Sequence, residues 1–319
     1  MIQEYSPYKI LAFPEHIKKL KANEIPKPIN ANIRLTGFCN GSCSFCHCNK
    51  VENDMGKNLA FNIDILLKFI EEFNEIGGKS LVFTGGEPLL HPNFDLIVNS
   101  TVTRGLKYGI ITNGLLLNKY FDILKSAVWA RISLNPILKK DKTDLVKYIK
   151  RLSDEGVFVT TSYIVNMSNF NRLSKVMSVL SKHGISDIRI SPDHFLDAKS
   201  KTLLKKQLLQ LEDNKDINII LQEEKFRKRD LIENRKCLYS EVQLRVDSSG
   251  LIFPCPSPIV GMTKKYAYGD LNKDSFTDIW NLRNPKFRIN KDCMKFCVHT
   301  MKVQFLDYCV GEKNHAEFI

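Results

Sequence analysis

Hydrophobic residues along this chain alternate between two spacings. From Asn62 to Ile76, Leu66, Phe69, Ile70 and Phe73 recur at i, i+3, i+4 and i+7, the stripe of an amphipathic helix, and Gly77-Gly78 end it. Ser80 to Thr84 follows as a short apolar run of the length of a buried strand. The pairing repeats. Helices over Phe94 to Thr103, Leu117 to Ser126, Thr143 to Leu152 and Asn169 to Gly184 precede strands at Tyr108 to Thr112, Trp129 to Leu134, Val157 to Val165 and Ile188 to Ile190, respectively. With Ile33 to Thr36 as the first strand, this order predicts an α/β fold with a parallel sheet and right-handed crossovers. Six strand–helix units fall short of the eight that close a TIM barrel, so the expectation is an open, partial (β/α)6 barrel with its site at the C-terminal strand ends. Residues 1–30, rich in proline with a short helical pattern from Glu15 to Lys21, read as a lead-in. An amphipathic helix from Lys199 to Glu212 and a polar connection through Arg235 lead to a change of composition at Cys237, where short strands, prolines and five cysteines begin. The expected division is 1–30 lead-in, 31–215 barrel and 216–319 cysteine-rich unit.

Composition narrows the class. At 319 residues and 43% hydrophobic content the chain can bury a sizeable core. No apolar run approaches the roughly 18 residues of a spanning helix, and Met1 to Lys21 has no signal-peptide core, so a cytoplasmic enzyme without a membrane partner is expected. Nine cysteines, an odd number, point to metal or redox chemistry rather than to a disulfide framework. The net charge of +12 is spread over lysines on nearly every predicted helix, which a solvated basic surface explains. An acidic substrate or partner stays open; a nucleic-acid partner is not expected, since no recognition motif accompanies the charge.

The candidate chemistry begins where the first strand ends. Cys39, Cys43 and Cys46 lie within eight residues on a loop eased by Gly41, with His47 and Cys48 directly after. Short cysteine spacings serve zinc sites and iron–sulfur clusters alike, and buried free thiols are a further reading. One unit later, Gly85-Gly86-Glu87-Pro88 leaves the second strand, an ordinary glycine turn by itself, although paired glycines also let a ligand approach the backbone closely. Together the two stretches resemble the cluster loop and the GGEP motif of the radical SAM enzymes, with Phe45 as the aromatic before the last cysteine. That resemblance implies a [4Fe–4S] cluster on three cysteines whose open iron chelates S-adenosylmethionine (SAM). It also implies that Gly85, Gly86, Glu87 and Pro88 lie at the methionine amino group, and that a 5′-deoxyadenosyl radical abstracts hydrogen from the substrate. A fourth ligand at Cys48 would close that site, so Cys48 is read as packed beside the cluster.

Other matches are thinner. Asn113, in Thr112-Asn113-Gly114, fits the family pattern at the end of strand three and would touch adenosine, or simply make a turn. Ser133 would point into the barrel mouth; relatives carry Ser-x-Asp there, whereas this chain has Asn135. Arg189 on strand six would face a SAM carboxylate or the surface. Catalytic residues are unassigned, with Asp193, His194 and Asp307 as candidate bases at the expected rims.

Cys237, twelve residues, Gly250, four residues and Cys255 resemble the opening of the SPASM domain, and Tyr268 to Leu271 and Phe276 to Asn281 resemble its linking segment. Cys293, Cys297 and Cys309 follow, but the internal Cys-x2-Cys-x5 run is missing, as in the shorter twitch form of the domain. A structural zinc site remains the alternative reading of these cysteines. The resemblance implies one auxiliary [4Fe–4S] cluster on Cys237, Cys255, Cys293 and Cys297, with Cys309 spare or exchanging with Cys293, in a unit packed over the barrel mouth. The two cofactor sites then imply a dehydrogenase-type oxidoreductase acting on a small sugar- or aminocyclitol-like molecule. A maturase or epimerase of a ribosomally made peptide is the alternative, and a metal-containing nucleic-acid binder a third. A one-electron donor such as flavodoxin or ferredoxin is the expected protein partner.

Overall fold

The structure, a computed structural model, describes residues 6–46, 59–210, 217–226, 231–257, 263–283, 287–297 and 299–311. Its centre is one sheet. Strands β1 (Asn30–Thr36), β2 (Ser80–Gly85), β3 (Lys107–Thr112), β4 (Trp129–Ser133), β5 (Phe158–Val165) and β6 (Asp187–Pro192) pair in sequence order, all parallel. A seventh parallel strand, β7 (Asn218–Leu221), extends the sheet beyond β6. It falls in the stretch expected to be a polar connection, because four residues between charged flanks give too short an apolar run to register. On the other side of β1 lies β8 (Gln243–Val246), also parallel, followed by antiparallel β9 (Leu251–Phe253) and β10 (Gly269–Asp270). The order is β10-β9-β8-β1-β2-β3-β4-β5-β6-β7. The cysteine-rich segment thus continues the barrel sheet across the expected division near residue 215.

Side-chain parity sets the two faces of the sheet. Ala31, Ile33, Leu35, Leu81, Phe83, Tyr108, Ile110, Ala130, Ile132, Ile188, Ile190, Leu244 and Val246 share one core with Leu66, Phe69, Ile70 and Phe73 of the helix Ile63–Glu75. Asn62 caps that helix by accepting from the Asp64 and Ile65 amides. The alternate positions face the concave side in register: Asn32 with Arg245, Arg34 with Thr84, Arg131 with Ile111 and Thr160, and Ser162 with Arg189. That inner face is polar. Two expected elements differ in extent. The helix placed at Leu117 to Ser126 is only Phe121–Leu124, and β4 gives way at once to a helix, Leu134–Lys139, that the pattern hides because Pro136 stands in its first turn, where a helix tolerates proline.

The N-terminal lead-in and the C-terminal segment meet at the barrel's other end. The helix Pro14–Lys21 contributes Leu20 to a cluster with Leu238, Val242 and Leu306. Phe276, in the helix Phe276–Leu282, packs edge-on against Phe69 at 4.9 Å, and Trp280 Nε1 donates to the Pro26 carbonyl at 3.1 Å. A buried ion pair ties β1 to the segment after β8: Arg34 Nη1 lies 3.1 Å from Asp247 Oδ2, each side chain 1% exposed, and Arg245 Nη2 stands 4.0 Å from the same oxygen.

Candidate functional site

The loop leaving β1 carries the first cysteine set. Thr36 Oγ1 donates to the Leu59 carbonyl at 3.1 Å and accepts from the Phe38 amide at 3.1 Å, fixing the chain's exit from the strand. Cys39 is exposed, Cys43 and Cys46 half-buried; the Gly41 amide donates to Cys39 Sγ at 3.3 Å and the Cys46 amide to the Cys43 carbonyl at 3.1 Å. Lys139 reaches over from the helix after β4 and donates to the Ser42 carbonyl at 2.7 Å and hydroxyl at 3.0 Å. Burial pushes the Cys43 thiol above its ordinary pKa, with a smaller push from Cys39 and a pull down from Lys139. Phe45 is half-buried on the same loop. His47 and Cys48 lie outside the described residues.

The glycine pair serves a purpose not read from the sequence. The Gly86 amide donates to the Thr36 carbonyl and the Glu87 amide to the Phe38 carbonyl, both at 2.7 Å. A Cβ on Gly86 would stand 2.2 Å from the Phe38 oxygen, and one on Gly85, whose φ is +150°, 2.5 Å from the Thr36 oxygen. The glycines therefore let β2 press its backbone against the root of the cysteine loop. Glu87 is fully buried: Oε1 accepts from Thr112 Oγ1 at 2.7 Å and the Leu89 amide at 3.1 Å, and Oε2 from the Asn113 amide at 2.7 Å. Burial raises its pKa to about 7, against three hydrogen bonds that pull it down. Pro88 is buried in the turn that follows. Asn113, held by Glu87, turns its Nδ2 to Asn40 Oδ1 at 2.7 Å and to Cys39 Sγ at 3.7 Å. Glu87, Asn113 and the cysteine loop thus form one hydrogen-bonded chain at the mouth.

Ser133 ends β4, half-buried. Asn135 is buried and pairs twice with Ile164 of β5, donating to its carbonyl at 3.0 Å and accepting from its amide at 2.9 Å. An aspartate could only accept, which gives the departure from Ser-x-Asp a structural reason. Arg189 is buried, not at the surface, and bonds the Gln222 side chain. Asp193 is buried above β6 and its Oδ1 accepts from the Phe195 amide, while the His194 carbonyl accepts from Lys201. Asp307 does not reach the mouth: on the helix Thr300–Val310 it pairs with Arg235 at 3.3 Å, at the opposite end. No motif pointed to His91, which is buried with Nδ1 accepting from the Asn93 amide at 3.1 Å and Nε2 donating to the Phe61 carbonyl at 2.9 Å.

The second cysteine set lines one pocket. Cys237, Cys255, Cys293 and Cys297 share it with apolar side chains such as Leu231, Phe287, Ile289 and Val303, and Cys309 is not among the lining residues. Burial pushes the Cys237 thiol up to about 12 and that of Cys255 well above its ordinary value, each raised again by neighbouring thiols of the set. Thiols so hard to ionise together are a donor set that an iron–sulfur core relieves, since its irons bind thiolates and supply positive charge. Among the described residues no group of three or more His, Cys, Asp or Glu side chains is placed to hold a single metal ion. Two polar atoms in the pocket wall, Ser257 Oγ and His299 Nε2, are buried without a partner among the described residues, an omission that costs about 1–3 kcal/mol each.

The pocket is not over the mouth, contrary to expectation. The Ile29 amide donates to the Val242 carbonyl at 2.8 Å, and β8 runs parallel to β1 from Asn30 opposite Gln243. Cys237 precedes β8 and Cys255 follows antiparallel β9, so both flank the end where β1 begins. The two cysteine sets sit at opposite ends of β1, roughly 20 Å apart along a strand of this length.

Residues 33–136 match the model of the radical SAM superfamily, and residues 237–301 that of SPASM, an iron–sulfur cluster-binding domain. AlbA of Bacillus subtilis, an antilisterial bacteriocin subtilosin biosynthesis protein, is 24% identical over 91% of this chain and 68% of its own. A GTP 3′,8-cyclase of Staphylococcus aureus is 27% identical over 55% of this chain, which spans about half of that relative, 53%. Among solved structures, Streptococcus suis SuiB bound to precursor peptide SuiA superposes with a TM-score of 0.62 at 16% identity, covering 94% of this chain and 76% of that one. A second, anSMEcpe with bound AdoMet, gives 0.60 at 16% identity over 89% and 85%. These likenesses bear out the partial-barrel fold. A radical SAM domain followed by a SPASM domain brings SAM and two iron–sulfur clusters with it, and the chain belongs to the radical SAM superfamily, as a member with a C-terminal SPASM domain.

Proposed function

We propose that the protein is a maturase of a ribosomally made peptide, taking a hydrogen atom from a residue of a polypeptide substrate. The observation that carries this reading is the reach of the AlbA likeness: covering 91% of the chain, it necessarily runs from the first strand into the cysteine-rich segment, whereas the cyclase likeness stops at 55%. The relatives lend no support to a sugar or aminocyclitol substrate, nor to a dehydrogenase in particular. The inner face of the sheet suits a polypeptide, since Asn32, Thr84, Arg131, Thr160 and Ser162 present donors and acceptors of the kind a peptide backbone pairs with.

In this reading Cys39, Cys43 and Cys46 hold the first cluster, and Cys237, Cys255, Cys293 and Cys297 hold the second. Bound at the first site, SAM and its cluster supply a hydrogen-abstracting radical. The chain's own residues set the stage for it. Gly85 and Gly86 bring β2 against the loop, Glu87 fixes the Asn113 backbone, and Asn113 Nδ2 steadies Asn40 and Cys39. Lys139 clamps the loop from the far side. Ser133 stands at the same rim for a polar contact with the cofactor, and Arg189, engaged by Gln222, lies in register with it through Ser162. A flavodoxin- or ferredoxin-type protein delivers the electron.

The test is anaerobic reconstitution with SAM and a chemical reductant, offered in parallel a panel of short peptides, GTP and a panel of aminocyclitols. A substrate peptide is expected to raise 5′-deoxyadenosine formation and to return altered in mass or in deuterium content. Product from GTP or an aminocyclitol, with every peptide inert, refutes the maturase reading.

A further inference from the structure

The four-cysteine pocket holds two polar atoms that its protein walls do not satisfy. Ser257, 2% exposed, buries Oγ with no hydrogen-bond partner among the described residues, and His299 does the same with Nε2. The placement is repeated, since each residue stands two positions after a cysteine, Cys255 and Cys297. Each also turns its backbone amide onto that cysteine's sulfur, Ser257 at 3.3 Å and His299 at 3.4 Å. The rest of the lining includes Leu231, Phe287, Ile289 and Val303, which offer no acceptor to a hydroxyl or an imidazole N–H. Tyr239 lies beside the His299 ring, the centroids 4.7 Å apart and the planes tilted by 44°, but its hydroxyl, reached by Lys302 at 3.4 Å, makes no hydrogen bond to Nε2. Buried donors are almost always paired, and an orphan in a native wall marks an occupant that the wall was built around. The acceptors missing from the protein are the ones an iron–sulfur core brings, its bridging sulfides and ligand thiolates.

We propose that Ser257 and His299 donate side-chain hydrogen bonds to the sulfurs of the auxiliary cluster and so raise its reduction potential. This rests on the assignment of Cys237, Cys255, Cys293 and Cys297 as that cluster's ligands. The direction follows from charge. Reduction adds negative charge to the sulfurs, donors aimed at them favour the reduced state, and hydrogen bonding to sulfur is one of the levers that sets such potentials. Two backbone and two side-chain donors on one cluster make an electron sink rather than a staple. A zinc ion in the same pocket has no reduction potential for the donors to shift.

The experiment is an electron paramagnetic resonance redox titration of the full-length, reconstituted enzyme with SAM present, following the reduced-cluster signal that added SAM leaves unaltered. Ser257→Ala and His299→Leu should each move its midpoint to more negative potential, the double variant further, and His299→Gln, which keeps an N–H donor, only part of the way. Iron should stay at about eight per chain throughout, two clusters of four. Midpoints equal to the wild type in all variants, with iron intact, overturn the proposal. So does His299→Leu at about four irons, which would make His299 a ligand. Exchange into D2O supplies a readout without substitution: the iron–sulfur stretching bands of the auxiliary cluster should shift in the wild type and shift less in the double variant, and an equal shift in both refutes the side-chain bonds. Failure of the ligand assignment looks different, as an auxiliary signal that survives Cys255→Ala.

Discussion

Glu87→Gln separates two opposing effects of one buried carboxyl. The side chain is fully buried, its ordinary pKa of 4.5 is raised to about 7, and its two oxygens accept from the Leu89 and Asn113 amides and the Thr112 hydroxyl. Because the folded pKa lies above the unfolded one, the unfolded chain holds fewer protons between those values, and stability falls as pH rises through that window. The shift corresponds to about 3 kcal/mol, lost between roughly pH 4.5 and 7 and constant above. Glutamine carries no charge, so this loss vanishes in the variant. It brings its own cost: its NH2 group must face either the Asn113 amide or the Leu89 amide, a donor against a donor, worth about 1–3 kcal/mol at any pH. The wild type should therefore be the more stable at pH 5 by about that amount, and the gap should close or reverse by pH 8. Paired denaturant titrations of wild type and variant at pH 5, 6, 7 and 8 measure it, with cluster release common to both. A stability difference that does not change with pH shows that the carboxylate is fully compensated by its three donors and refutes the reasoning.

Three further outcomes follow from named contacts. Gly86→Ala places a Cβ 2.2 Å from the Phe38 carbonyl, so the cysteine loop must shift, and 5′-deoxyadenosine formation should fall by more than about tenfold, since small misplacements of reacting groups carry such losses. Asp247→Asn removes a buried carboxylate shared by Arg34 and Arg245 and should destabilise the fold by about 3–5 kcal/mol, read as a lowered thermal midpoint. Arg131, half-buried on the inner face and without an ion pair or side-chain hydrogen bond among the described residues, should tolerate Arg131→Ala with little loss of stability, while peptide turnover drops about tenfold or more; unchanged turnover removes it from the substrate path.

Local signals were readable in advance and distant ones were not. The helix Ile63–Glu75 and strands β1 to β6 announce themselves by periodicity, and the three-cysteine loop and the GGEP turn are contiguous, so their chemistry is written in a few adjacent letters. What Glu87 does depends on Thr112 and Asn113 meeting it from the next strand, and the burial of Arg189 on Gln222 from β7, a four-residue strand hidden among charges. Asn135 looked like a weakened motif until its partner Ile164 was in place. The position of the second cysteine set was missed for the same reason: spacing within the segment gives its ligands, whereas its end of the barrel is decided by β8 choosing the edge of β1. The orphaned donors Ser257 and His299 belong to no pattern of letters at all, and are visible only as a deficit in a finished pocket.

The pairing of β1 with β8 also dictates an order of assembly. The strand that carries the cysteine loop is the first of the barrel to leave the ribosome, yet one of its two edges waits for residues more than two hundred positions later. Until Gln243–Val246 arrives, β1 exposes a row of unmet amides and carbonyls, an invitation to wrong pairing, and Arg34 lacks the carboxylate of Asp247. A chain cut near residue 215 would keep every motif of the first site and should still fail to make a stable barrel. The two units named by their cysteines are thus one folding unit, and any attempt to transplant the SAM-binding half must carry the β8–β9 hairpin with it.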